Sequence, residues 1–178
     1  MPVALISRQR RFGVRAAEVR ADAVRLLRAL GVDAELSVAL VGDTEIHRLN
    51  LQYRHVDKPT DVLAFPLEAP PPAGPHPLSP SPLPELTAAE VQAGGAAGRE
   101  GKGLEQGPAA PRLLGDVVIS LDTAVRQAAE RGVPVADEVR TLLVHGLLHL
   151  LGYDHERSSA EARRMFRKQR QLVTLLKN

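Results

Sequence analysis

The sequence has no cysteine among its 178 residues. Disulfides and thiolate ligands are therefore excluded, any metal must be held by nitrogen or oxygen, and a reducing cytoplasm is the expected compartment. Tryptophan is absent and aromatic residues make up 3% of the chain, so base recognition on a platform of aromatic side chains is not expected. No run approaches about 18 apolar residues, and the opening MPVALISRQRRFG has too short an apolar stretch for a signal peptide. Neither a membrane span nor a secretory leader is expected. Charge of one sign is not in large excess either. The net charge is +2, while the pI of 9.3 reflects arginine-rich segments whose placement matters more than the total.

What is present is the balance of an ordinary soluble domain, with 44% hydrophobic and 25% charged residues. The length fits one domain with a proper core. Residues 67–112 stand apart, holding ten of the fourteen prolines and seven of the fourteen glycines. EAPPPAGPHPLSPSPLPEL cannot propagate helix or sheet, and AGGAAGREGKGLEQG has too few large apolar groups to offset its ordering entropy. The expectation is one domain built from 1–66 and 113–178, interrupted by a disordered proline- and glycine-rich insertion over 67–112.

The remainder alternates strand-like and helix-like runs. VALIS at 3–7 reads as a strand. Val19, Ala23, Leu26, Leu27 and Leu30 recur at helical spacing, with Gly31 as the stop. ELSVALVG at 35–42 is a strand, followed by a helix over 43–54 with Asp43 as its expected N-cap. DVLAFP and GDVVISL flank the insertion as two more strands. DTAVRQAAERG forms a helix closed by Gly132. Pro134 then opens a helix that is apolar on most of its face and so belongs at the centre. Ser158 and Glu161 form a capping box for a last helix running to about 176. This pattern predicts a mixed sheet of about four strands with helices packed on it.

HGLLHLLGYDH at 145–155 holds three of the six histidines. His145 and His149 are four apart on the central helix, so both imidazoles leave one face about a turn apart. Gly152 falls where the helix must stop, and the chain can then turn back to deliver His155. Three nitrogens with an open fourth position is the arrangement of a catalytic zinc. The stretch matches the protease pattern H-E-x-x-H-x-x-G-x-x-H except that Gly146 replaces the glutamate. That glutamate takes the proton in peptide hydrolysis, and glycine cannot.

HGLLHLLGYDH, LNLQYRHVDKPTDVLAFP at 49–66 and LGDVVIS at 114–120 together resemble the YbeY family of bacterial single-strand-specific endoribonucleases. The resemblance runs from near residue 36 to the end, outside the insertion. It implies a zinc-dependent role in ribosomal RNA maturation, including 16S 3′-end processing, and in ribosome quality control. It implies an α+β fold with the metal site at the end of a central helix. One zinc ion would sit on His145, His149 and His155, and Arg54 would be the functional arginine. Single-stranded or ribosomal RNA and small-subunit ribosomal proteins are the implied partners, with no DNA and no membrane. Ala64 departs from the family's usual serine, and the long connection over 67–112 replaces a short one.

Physically, an arginine beside zinc can stabilise the charge that builds on a pentacoordinate phosphorus. Whether a zinc-bound water or the ribose 2′-OH attacks stays open. Asp61 and Asp116 are candidate partners of a ligand imidazole, and Asp154 and Glu156 candidate proton acceptors. His47 and His55 read as solvated, Tyr153 as packed under the site, and Met165 as core. Arg163, Arg167 and Arg170 make one face of the last helix, broadened by Arg157, Arg164 and Lys168, that can track an RNA backbone. Two rival readings stand beside this one: a zinc metalloprotease-like hydrolase, against which Gly146 argues, and a non-catalytic ribosome assembly factor with a structural metal.

Overall fold

The computed structural model describes residues 3–7, 13–67 and 112–177. The elements run β1 (Val3–Ser7), α1 (Ala16–Ala29), β2 (Glu35–Val41), α2 (Asp43–Arg54), β3 (Val62–Pro66) and β4 (Leu113–Ser120). Helices α3 (Leu121–Arg131), α4 (Val135–Leu150) and α5 (Ser159–Lys177) follow. The four strands lie in the order β1-β2-β4-β3. β1 and β4 flank β2 in parallel, and β3 closes the edge antiparallel to β4. The fold is the expected α+β class with a mixed sheet.

Helix ends fall on the punctuating residues. Gly31 and Gly132 follow α1 and α3, each with φ 64°, and Pro134 precedes α4. Ser158 Oγ accepts the Glu161 N–H at 3.2 Å, one half of the capping box. Asp43 departs from expectation. Gly42 occupies the cap of α2 and Asp43 is the first helical residue. Its carboxylate turns instead to the β4–α3 junction, where the Ser120 and Thr123 hydroxyls donate at 2.6 and 2.8 Å and Arg126 pairs at 2.7 Å. Two hydroxyls and a guanidinium together outcompete the helix's own amides for it.

Strand alternation sorts the core onto two faces of the sheet. Val117 and Ile119 of β4 join the large cluster made with α1, α4 and α5, while Val118 joins Val41, Ile46 and Leu63 under α2. α4 is central, as its all-round apolar pattern requires: Val139, Leu142, Leu143, Val144, Leu147, Leu148 and Leu150 are buried. Each such side chain contributes roughly 1.5–3 kcal/mol by leaving water. α5 returns across α4 through the buried stripe Met165, Leu172 and Leu176.

The long connection leaves and re-enters the sheet at one place. Pro66 pairs with Gly115, and the Leu67 N–H donates to the Leu114 carbonyl at 3.4 Å. Residues 68–111, and with them the expected disorder, lie outside the described residues.

Candidate metal centre

The geometry of the three histidines begins with how α4 ends. Gly152 takes a left-handed φ of 83°, a conformation open to glycine without strain. The Gly152 N–H then bonds to the His149 carbonyl and the Tyr153 N–H to that of Leu148, each at 3.0 Å. This paired closure satisfies the helix's last carbonyls and reverses the chain. Asp154 tightens the following turn. Its Oδ1 accepts the Glu156 N–H at 2.8 Å and its Oδ2 pairs with Arg157 at 3.1 Å. The backbone hydrogen bond from Glu156 is the main cause that holds the Asp154 carboxyl below its ordinary pKa. Asp154 shapes the loop that carries His155.

His155 thereby reaches back to the helix. Its ring centroid lies 5.2 Å from those of both His145 and His149, and one nitrogen from each ring falls within 4.8 Å of the others. The Nε2 atoms of His145 and His149 are 3.1 Å apart. Two nitrogens on a tetrahedral zinc, each at about 2.0–2.1 Å, stand about 3.3 Å from one another, so the pair has ligand spacing.

The protonation states fit the same group. Gln169 Oε1 lies 3.0 Å from His145 Nδ1. A carbonyl oxygen can only accept, so Nδ1 is the donor to Gln169 and Nε2 is left facing His149. His149 is pushed down to about 4, first by burial, then by its neighbours His145 and His155, with Arg54 adding to the effect. It is neutral at neutral pH, as a metal ligand must be. The donor set suits zinc.

The three histidines line a cavity of about 360 Å³ with Arg54, Thr60, Asp61, Ala64, Gly146, Asp154 and Glu156 among its walls. Arg54 is the last residue of α2. His55, with φ 58°, ends the helix immediately after it. Gly146 explains the missing glutamate. A Cβ there would stand 2.7 Å from Val117 Cγ1 and 3.1 Å from Val62 Cγ2, so α4 lies against the sheet with no room for a side chain.

Two sequence expectations give way here. Neither Asp61 nor Asp116 has a hydrogen bond to a ligand imidazole. Asp61 lines the cavity, but its Oδ2 accepts from Gln127 Nε2 at 3.1 Å and its Oδ1 from the Val62 N–H at 2.8 Å. Asp116 lines a separate cavity with Glu35 and Ser37. The imidazole's partner is Gln169, which the motif reading missed. A signal existed, because Gln169 stands in the stripe Met165, Leu172, Leu176 as a polar residue at a core-facing position.

The remaining candidates are placed plainly. His47 bonds Asp57 at 2.7 Å and His55 is exposed, neither of them lining the cavity. Tyr153 packs on the large core with the Arg164 guanidinium 5.4 Å over its ring. Met165 is fully buried. Arg163, Arg167 and Arg170 are exposed on α5. Among the described residues no helix is long and apolar enough to cross a membrane.

Comparison with known proteins bears on this geometry directly. The family model described as Endoribonuclease YbeY matches residues 6–177. A Geobacter metallireducens protein named Endoribonuclease YbeY is 40% identical over 99% of this chain and 96% of its own length. One from an Anaeromyxobacter species with the same name is 43% identical over 97% of this chain and 71% of its own. The solution structure of a Thermotoga maritima protein superposes with a TM-score of 0.57 at 21% identity, covering 98% of this chain and 89% of that one. That likeness bears on the fold alone. With the family model spanning almost its whole length, this chain belongs to the endoribonuclease YbeY family.

Proposed function

We propose that the chain is a zinc-dependent endoribonuclease of the cytoplasm that cuts single-stranded RNA, with ribosomal RNA as its substrate and ribosomal small-subunit proteins as its neighbours. The observation that carries this reading is the convergence of three imidazoles and an arginine on one cavity, in a chain of this family. His145, His149 and His155 would hold one zinc ion, which supplies Lewis-acid chemistry at a phosphodiester when bound. The domain is formed by 1–66 and 113–178, and 67–112 is an insertion between β3 and β4.

The protein's own groups divide the work. His145 is oriented by Gln169, which fixes its tautomer and its aim. Arg54 stands at the wall where negative charge develops as the phosphorus becomes pentacoordinate, and its planar fork suits two phosphate oxygens. Gly146 leaves no carboxylate at the position from which a protease would draw its proton. The Asp61 carboxylate, held by Gln127, keeps an acceptor at the cavity wall without reaching the imidazoles.

The test is turnover on matched substrates. Zinc-loaded protein is offered a single-stranded RNA, the same sequence fully paired, the corresponding single-stranded DNA, and an unstructured peptide. The expected result is cleavage of the single-stranded RNA alone, abolished by a chelator and restored by zinc. Peptide hydrolysis would favour the metalloprotease-like reading. RNA binding without any cleavage at full zinc occupancy would favour an assembly factor with a structural metal.

A further inference from the structure

We infer that Phe166 is a stacking platform for one unpaired RNA base beside the metal centre, with Arg163 and Arg170 gripping the phosphates on either side. The inference rests on the ribonuclease reading of the site and deepens it, since it gives preference for single strands a physical source.

The observation is an aromatic ring in an unusual place. α5 buries Met165, Leu172 and Leu176, yet Phe166 is 44% exposed. Its ring stacks on His155, with centroids 5.7 Å apart and planes at 21°. One face thus rests on a residue of the metal site, while much of the ring meets solvent. Other large apolar side chains are exposed as well, but Phe166 combines its exposure with a stacked contact on a ring of the histidine cluster. Arg163 lies three residues before and Arg170 four after, so both share its side of the helix. Arg163, Arg167 and Arg170 are exposed and pair with no carboxylate among the described residues. By contrast, Arg157 is neutralised by Asp154 and Arg126 by Asp43. An aromatic ring flanked by unneutralised arginines is the surface that a polyanion with flat apolar bases fits.

The low aromatic content argued against such a platform, but composition averages over the chain. Phe166 stacks on His155, which lines the cavity. Stacking needs one ring, and a single strand can bring a base to it. In a duplex the bases are already stacked and paired, so the same ring has nothing to receive.

The test uses the zinc-loaded full-length chain and short fluorescent single-stranded RNAs, each with one abasic position moved along the strand. Phe166→Leu keeps an apolar side chain but removes the π-face, and Phe166→Tyr retains it. The Leu variant should bind the intact RNA about ten- to a hundredfold more weakly, with zinc content and the salt dependence of binding unchanged. The Tyr variant should bind like the natural protein. One abasic position should weaken binding by the natural protein by a similar factor and the Leu variant hardly at all. Additive penalties across that cycle, or undiminished affinity in Phe166→Leu, would overturn the inference. So would loss of zinc with RNA affinity intact, which would make Phe166 a support for His155. Because affinity is read separately from turnover, RNA bound but never cleaved by the natural protein would instead count against the ribonuclease reading.

Discussion

The two faces of the sheet hold their share of the site by different forces. α4, which carries His145 and His149, is seated in the large core by seven buried aliphatic side chains, each adding roughly 1.5–3 kcal/mol. α2, which carries Arg54, rests on a small cluster of Val41, Ile46, Leu63 and Val118. Its position is fixed by polar contacts: Asp43 to Ser120, Thr123 and Arg126, Asn50 Nδ2 to the Lys58 carbonyl at 2.8 Å, and His47 to Asp57. Apolar burial is strong but non-directional, whereas hydrogen bonds aim. The clustered histidines therefore share the fate of the fold. The arginine can be moved without unfolding anything.

The largest effect that separates the two faces is on rate. Arg54→Ala should slow cleavage on the order of a hundred- to a thousandfold, with zinc content and melting temperature unchanged. Arg54→Glu should be worse, because it places negative charge where negative charge develops. Arg54→Lys should recover part of the rate, since the charge remains but the fork does not. Normal turnover by Arg54→Ala would return Arg54 to the solvated surface.

On the other face the expected effect is on stability. Gly146→Ala drives a methyl into Val117 and Val62, and overpacking of this kind costs about 1–3 kcal/mol. Denaturant unfolding should show that loss, with weaker zinc binding because His145 and His149 shift with the helix. An unchanged midpoint would mean that α4 sits less tightly than the contacts indicate.

A smaller effect is expected at the polar anchor. Burial opposes ionisation of Asp43, but the hydrogen bonds from Arg126, Ser120 and Thr123 outweigh it and keep the pKa below the ordinary 3.8. Its stabilisation is therefore complete above the unfolded-state value and is lost as pH falls through the folded one. Asp43→Asn should cost about 1–2 kcal/mol and remove that part of the acid sensitivity. It should also lower the cleavage rate, because α2 runs about 16 Å from Asp43 to Arg54 at about 1.5 Å per residue. A rate equal to that of the natural protein would show that Arg54 is aimed by something else.

The smallest effect is expected from the proline-rich segment. Its ends meet at paired strand residues, Pro66 and Gly115, so a short turn can replace residues 70–110. Loop length costs only about 0.6 kcal/mol per doubling, and the melting temperature should hardly move. A large loss of stability would show that the segment packs on the domain.

How far the sequence foretold all this follows the same divide. Among the described residues every helix and strand was legible to within a few residues, because Gly31, Gly132, Pro134 and Gly152 punctuate the chain where the elements end. The gathering of the three histidines was legible because their spacing on one helix and its closing turn is a local property. What local pattern cannot report is which distant side chain arrives. Gln169 lies twenty-four residues from His145 and reaches it only because α5 packs back across α4. Phe166 meets His155 by the same return. Asp43 was misassigned as a cap because its true partners, Ser120 and Thr123, belong to the other half of the chain. Arg54 was singled out through family resemblance, since an arginine at a helix end carries no local mark of its place on a cavity wall.

We propose that His145, His149 and His155 form one metal centre on which cleavage depends. Its most direct measurement is zinc stoichiometry by native mass spectrometry of the natural protein and of His149→Ala, each folded and assayed on the same single-stranded RNA. One zinc per natural chain is expected, with little or none in the variant and no detectable cleavage by the variant even with zinc supplied. One retained zinc in folded His149→Ala, or undiminished cleavage without it, would mean that the three histidines are not the metal centre.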